Sequence, residues 1–502
     1  MLAAALAAAL PVHAAADCAP ARGGAALGRV DFTGPSAILP PEELDAIAAR
    51  FAGCRRAPAS VEAVIDAVNA AYAARGADLA FADFAGTADR TVRIALIEVR
   101  YDAVEVEGAA RINPDFLRAR AGASPGALAD IRALEARLAR MPETDGLRVE
   151  ADLRPGARPG TTTLVLRVEE PPRLRAVIGA DTTGAVDSGQ ARLTGAVTVP
   201  SLTGLADPLT LSGSLSEGSR QVALAYARPL GAEGARLSFG LSYEATEAIF
   251  APPPGNALTT TGVQATAGLA WPLRASDAGS DSLTAALTVA FDASALAGVA
   301  VSDTVAVEIA LGASHLRRFP GRGVIGLSHA LRAGTVDDRA TPAGYTYLRF
   351  EGTAFALAAL AGDWTLGAEA RWQYATGPVP TFAQFSATGR SGVRGYGRVA
   401  ASTDAGALLR GEVRRAPVEA GGGLRLSPFG FADAGLGASH GGAGLVAGPL
   451  RAAVGLGLDA AYDLGRGRTL AGSLVAAMPL ADAPPRLRAG EVQIVASVSL
   501  GF

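Results

Sequence analysis

Val492-Gln-Ile494-Val-Ala496-Ser-Val498-Ser-Leu500-Gly-Phe502 closes the chain on alternation, with Val492, Ile494, Ala496, Val498, Leu500 and Phe502 on one face and an aromatic residue last. A period of two predicts a strand with one apolar face. The same pattern runs back through Trp364-Leu366-Ala368-Ala370-Trp372, Val305-Val307-Ile309-Leu311, Leu283-Ala285-Leu287-Val289-Phe291, Leu237-Phe239-Leu241-Tyr243 and Leu209-Leu211-Gly213-Leu215, with Ser, Thr, Gln, Glu and Gly on the other face. Turn signals divide residues 171–502 into about sixteen such segments of about 9 to 11 residues, each long enough to cross a bilayer when tilted. So long a sheet exposes edges unless it closes on itself. The reading is therefore an all-β transmembrane barrel of about 16 antiparallel strands, favoured over a soluble sandwich or solenoid by the terminal aromatic strand.

At 502 residues the chain is too long for one ordinary domain. The formal net charge is −3, and every basic residue is arginine. No basic patch or charge block points to nucleic acid. Beyond the N-terminus no run of 18 apolar residues occurs, which excludes helical spans. Met1 to Leu10 is a short apolar run and Ala14-Ala15-Ala16 offers a cleavage site, so 1–16 reads as a secretory signal peptide, whose missing basic region leads us to expect its true start upstream of Met1. Asp17 before Cys18 fits a lipid anchor poorly. In an oxidising compartment Cys18 and Cys54 are expected to form a disulfide, the alternative being two separate buried thiols. Closing that loop of about 36 residues would stabilise its domain by roughly 3 to 4 kcal/mol on the chain-entropy account.

After a short segment at 17–26, residues 27–98 read as strand, helix, helix, strand, strand. Val61-Val64-Ile65-Val68-Tyr72 is helically spaced, Pro40-Pro41 opens one helix and Gly76 closes another. Residues 99–170 repeat that order, with Leu128-Ile131-Leu134-Leu138-Met141 as the second helix; the period of about 72 residues marks an internal repeat. Each unit is a three-stranded sheet with two helices, and its edges can take up an extended peptide through main-chain hydrogen bonds.

Catalytic and cofactor signatures fail on context. Gly437-Ala-Ser439-His440-Gly441 matches a nucleophile elbow, but no helix follows and no later histidine exists. Gly442-Ala-Gly444 likewise precedes no helix, and His13, His315, His329 and His440 are scattered. A phosphate-binding loop ending in Gly-Lys is impossible without lysine. No enzyme activity, cofactor or metal is expected.

One loop stands apart, Phe385-Ser-Ala-Thr-Gly389-Arg-Ser-Gly392-Val393-Arg394-Gly395-Tyr396. Its glycines let the segment fold back and hold Arg394 at a tip, and a confined guanidinium needs an acid.

The combination resembles the two-partner-secretion transporters, the ShlB/FhaC/HecB haemolysin secretion/activation proteins, which are relatives of the barrel-assembly proteins. Val393-Arg394-Gly395-Tyr396 resembles that family's VRGY/F motif, about five strands from the end. Further matches are Tyr72-Ala-Ala-Arg75-Gly76, the pair Cys18 and Cys54, Leu409-Arg410-Gly-Glu412, and Pro428-Phe429-Gly-Phe431-Ala-Asp433-Ala-Gly435. The resemblance implies that 27–98 and 99–170 are periplasmic POTRA domains and that a loop at 376–400 folds into the barrel lumen. It also pairs Arg394 with Asp433. Asp433 shares the parity of Phe429 and Phe431, which leaves open whether it faces the lumen or a solvated strand end.

The function implied by the resemblance is that of an outer-membrane pore secreting a large partner polypeptide, a TpsA-like haemolysin or adhesin, without ATP; the alternative is a barrel-assembly factor. Expected partners are the exoprotein captured by the POTRA domains, outer-membrane lipid and the barrel-assembly machinery, which would read Phe502 as a C-terminal assembly signal. A monomer is expected, without nucleic acid. With only about ten residues between Asp17 and Leu27, the N-terminal plug helix common in the family is not expected here.

Overall fold

A computed structural model of the chain describes residues 26–249, 257–276, 278–340, 343–389, 391–397, 402–441, 444–483 and 487–502. The signal peptide, the segment 17–25 and Cys18 lie outside the described residues. The chain divides into two units, one of residues up to 109 with 114–138 and 148–169, the other of 110–113, 139–147 and 170–502.

The smaller unit holds two sheets of like order. β1 (Arg29–Thr33), α1 (Pro41–Phe51), α2 (Pro58–Ala74), β2 (Ala80–Ala88) and β3 (Thr91–Glu98) form the first, with β3 central, parallel to β1 and antiparallel to β2. Proline occupies the first turn of both helices, where its missing N–H costs nothing. Val64, Val68 and Tyr72 recur at four-residue spacing on α2 and are fully buried, as is Ile94 of the central strand. The Tyr72 hydroxyl meets Glu98 at 3.3 Å, and its burial first, with the Glu98 charge, pushes its pKa up to about 12.

β4 (Arg100–Glu107), α3 (Pro114–Ala121), α4 (Ile131–Leu138), β5 (Arg148–Pro155) and β6 (Thr161–Glu169) repeat the arrangement, with β6 parallel to β4 and antiparallel to β5. The single helix expected over 128–141 is shorter. Leu128 pairs with Arg100 in a bridge, and a separate turn at Met141–Thr144 carries Pro142, which cannot continue the preceding helix.

The larger unit is a closed barrel of sixteen long antiparallel strands, from Arg175–Asp181 to Gln493–Gly501, extended by the short segments Val418–Glu419 and Gly444–Ala447. Closure comes from the first and last strands, paired from Val177–Gly501 to Asp181–Ser497. The strands are less uniform than expected, from 7 residues at Leu209–Leu215 to 21 at Val299–Phe319. The alternation divides them cleanly: Ile309 and Leu311 face outward and are 58% and 65% exposed, while Ala306 and Glu308 face inward at 1%. Outward apolar residues with inward polar ones are the arrangement that a lipid solvent demands.

Candidate functional site

Strand directions alternate from Arg175, so the eleventh strand, Trp364–Ala375, ends at the far mouth of the barrel. The twelfth, Ala405–Arg415, starts there. The chain between them turns inward. Phe385–Ser386 pairs with Ser402–Thr403 as a neck, and beyond it the tip closes through Val393 N–H to Ala387 O at 2.9 Å and Gly389 N–H to Tyr396 O at 3.2 Å. A Cβ on Gly392 would lie 2.4 Å from the Ala387 carbonyl, so no other residue fits this fold.

Val393 and Tyr396 are fully buried, packed with Leu408, Ala453 and Leu487. The Tyr396 hydroxyl donates to Ala481 O at 2.8 Å and accepts from Ala481 N–H at 3.1 Å. Opposite the tip, a Cβ on Gly435 would press on the Val393 and Leu408 side chains and the Ala387 carbonyl at 3.1 to 3.2 Å. The wall is thinned where the loop rests.

Arg394 is held in that setting. Its Nε and Nη2 donate to the two carboxylate oxygens of Asp433, each at 2.8 Å, and its backbone N–H reaches Asp433 Oδ2 at 3.1 Å. Nη1 donates to Glu412 at 2.7 Å. The Asp433 side chain has no solvent exposure, and the Phe431 ring lies 3.7 Å from the guanidinium carbon. A planar fork matched to a carboxylate, capped by an aromatic face, offsets the desolvation that burial imposes on both charges. Asp433 therefore faces the lumen, and so do Phe429 and Phe431. These rings lie over Gly457 and Gly455 of the neighbouring strand, where a Cβ would come within 2.4 Å of them.

Sequence reading named one acid for Arg394 and missed the rest. Glu412 is a second acceptor, and Arg414 binds both Glu412, at 2.7 Å, and Asp459 while its guanidinium covers the Phe429 ring. Arg371 and Arg410 donate to the backbone carbonyls of Ser391 and Gly392 at the tip. Further round the wall, Glu308 accepts from Arg349 at 2.8 and 2.9 Å, from Arg332 at 2.9 Å and from Tyr347 at 2.9 Å. These charges share one parity along successive strands, the signal that would have found them. Cavities of about 530 and 570 Å³ flank the loop, the first bounded by Arg394, Thr182 and Gln493 and the second by Arg349, Glu351 and Gln373.

The model of the haemolysin secretion/activation protein ShlB/FhaC/HecB matches residues 160–459. The chain belongs to that family. The ShlB/FhaC/HecB proteins are secretion barrels, and solved structures share the fold. CdiB from Escherichia coli superposes with a TM-score of 0.71 at 19% identity, over 95% of this chain and 90% of that one. CdiB from Acinetobacter baumannii gives 0.66 at 14%, over 97% and 91%. BamA from Haemophilus ducreyi lacking POTRA domains 1–3 gives 0.51 at 15%, over 95% and 100%. At these identities the likeness is one of fold. No curated protein sequence matches the chain.

The remaining candidates have plain positions. Cys54 is buried and disulfide-bonded. Phe502 is half exposed, and its backbone exchanges hydrogen bonds with Ala176 across the closing seam. Ser439 and His440 lie in the strand Leu424–Gly441, where the His440 N–H is taken up by Asp404. Among the described residues no cluster of His, Cys, Asp or Glu could hold a metal ion.

Proposed function

We propose that this secretion barrel exports one large partner polypeptide from periplasm to cell surface, and that the loop bearing Val393-Arg394-Gly395-Tyr396 is the element that must yield to let it pass. The observation that carries the reading is the fork between Arg394 and the unexposed Asp433, which holds a loop inside the lumen by contacts that can be exchanged. A segment packed there reduces the free cross-section, so passage requires displacement.

The two βααββ units stand in the periplasm and take up the unfolded partner along their open sheet edges; the outer strands are β1 and β2 of the first sheet and β4 and β5 of the second. Folding of the cargo outside supplies direction, with no nucleotide hydrolysed. Phe502 and its strand present the signal for membrane insertion, Cys18 closes the disulfide with Cys54, and the chain works as a monomer. Comparing the medium and outer-membrane proteomes of cells with and without the chain tests this. The reading expects one large β-rich polypeptide to vanish from the medium. An unchanged medium with depleted outer-membrane barrels would replace it with the assembly-factor reading.

A further inference from the structure

We infer that Gln373 and Asp404 are positioning residues that staple the neck of the lumenal loop, so that the loop swings as a closed hairpin when its tip leaves Asp433. The inference rests on the proposed reading that the tip moves, and it concerns a part of the loop remote from the arginine motif.

Gln373 sits on the inner wall near the far end of the eleventh strand and is 7% exposed. Its amide nitrogen carries two hydrogens and uses one on each limb of the loop, donating to Ala383 O at 2.8 Å on the way in and to Asp404 O at 2.9 Å on the way out. The amide is turned that way by Arg349, whose Nη1 donates to Gln373 Oε1 at 3.1 Å. Arg349 is in turn fixed by its two-point contact with Glu308, which is 1% exposed.

Asp404 completes the staple. One carboxylate oxygen accepts from Val379 N–H at 2.9 Å, on the incoming limb, and the other from His440 N–H at 2.8 Å, on the thirteenth strand. Thr403 Oγ1 adds a contact to Phe385 O at 3.2 Å across the limbs. Val379 and Ala383 pack against Ala290, Ala306, Val336 and Tyr347 of the wall. The polar groups of this staple are thus buried and satisfied, and each would be left unpaired if the limbs parted.

The tip is held differently: beside the packed Val393 and Tyr396, its polar contacts are one arginine fork with carboxylates and arginines on backbone carbonyls, and 24% of the Arg394 side chain is open to solvent. The Arg394 fork is reached by solvent and its contacts can exchange with water, whereas the Gln373 amide and the Asp404 carboxylate are 7% and 5% exposed, so the fork releases first. The neck is therefore the pivot and the tip the moving end.

Spin labels on the full chain in lipid vesicles test this, at Thr381 and Ser402 across the neck and at Ser391 and Ser439 for the tip. Loss of the fork in D433N is expected to broaden the tip distance distribution by at least about twofold and to leave the neck distribution unchanged. Q373E replaces the amide donor with a carboxylate facing two carbonyls, and is expected to broaden the neck distribution by at least about twofold with Asp433 intact. If Q373E yields no heat-modifiable barrel, D404A carries the same expectation. A neck that broadens with the tip in D433N, or one that stays narrow in the folded staple variant, overturns the inference. Neither readout depends on secretion, so the export reading stands or falls separately on the proteome comparison.

Discussion

In the βααββ units the apolar side chains are the hidden ones, whereas in the barrel wall they are the exposed ones. Tyr72, Ile94 and Leu164 have no exposure, while Leu456, Ile494 and Leu311 are 65% to 71% exposed. Polar groups invert with them. The smaller unit carries its ion pairs at the surface, as in Arg132 with Asp78 at 63% and 46% side-chain exposure, and the barrel buries Glu308, Arg349 and Asp433. A one-dimensional pattern of apolar residues states only that a strand has two unlike faces; the solvent decides which is packed. In water the core is apolar and the charges are outside. In lipid the outer wall is apolar, and the charges can do structural work only in the lumen.

The sharpest way to break this comparison is to remove a buried charge. Glu308→Leu leaves the guanidiniums of Arg349 and Arg332 to share the single carboxylate of Glu351, and is expected to destabilise the barrel by about 3 to 5 kcal/mol in urea unfolding from vesicles. A loss under about 1 kcal/mol would mean the network is solvated rather than structural. The outer wall offers the next largest effect. Leu311→Arg should cost about 2 to 4 kcal/mol if that position lies near the bilayer midplane, whereas the same change at the surface of a water-soluble sheet costs little.

The smallest expected effect lies at the joint before the barrel. Glu170 accepts from the N–H groups of Arg111 and Ile112 at 2.7 and 2.8 Å and from the Arg111 guanidinium at 2.8 Å. Burial opposes its ionisation, but these donors together hold its carboxyl below the ordinary glutamate value. A depressed pKa stabilises the folded state above the unfolded value and ceases to do so as pH falls through the folded one. Hydrogen exchange at the Arg111 and Ile112 amides should therefore accelerate, relative to intrinsic rates, on acidification below the ordinary glutamate range. E170Q should abolish that dependence.

Much of this architecture was legible because a strict period of two leaves little freedom, and because Pro41 and Gly76 mark helix ends by backbone chemistry alone. The break at 139–140 was not, since the apolar spacing from Leu128 to Met141 continues across it and only Pro142 objects. Asp433 had a family match but no visible direction, because Phe429 and Phe431 share its parity and aromatic residues usually mark the lipid face. They point inward since the glycines at 455 and 457 make room for their rings and two guanidiniums need covering. Gln373 and Asp404 were invisible for another reason. Neither residue type signals a staple, and their partners are backbone atoms of a loop whose path no pattern describes.

The geometry also shows which substitution to use on the loop itself. An R394E/D433R swap would set the new carboxylate against Glu412, so failed rescue would say nothing about the pair. D433N keeps the shape and one acceptor while removing the charge. The decisive measurement is the amount of partner polypeptide released into the medium by cells carrying D433N, normalised to folded barrel in the outer membrane. Without the charge on Asp433 the tip has no seat on the wall and stays loose in the passage, so the account predicts a loss of at least about tenfold, corresponding to about 1.4 kcal/mol. Undiminished release from a folded D433N barrel would contradict it.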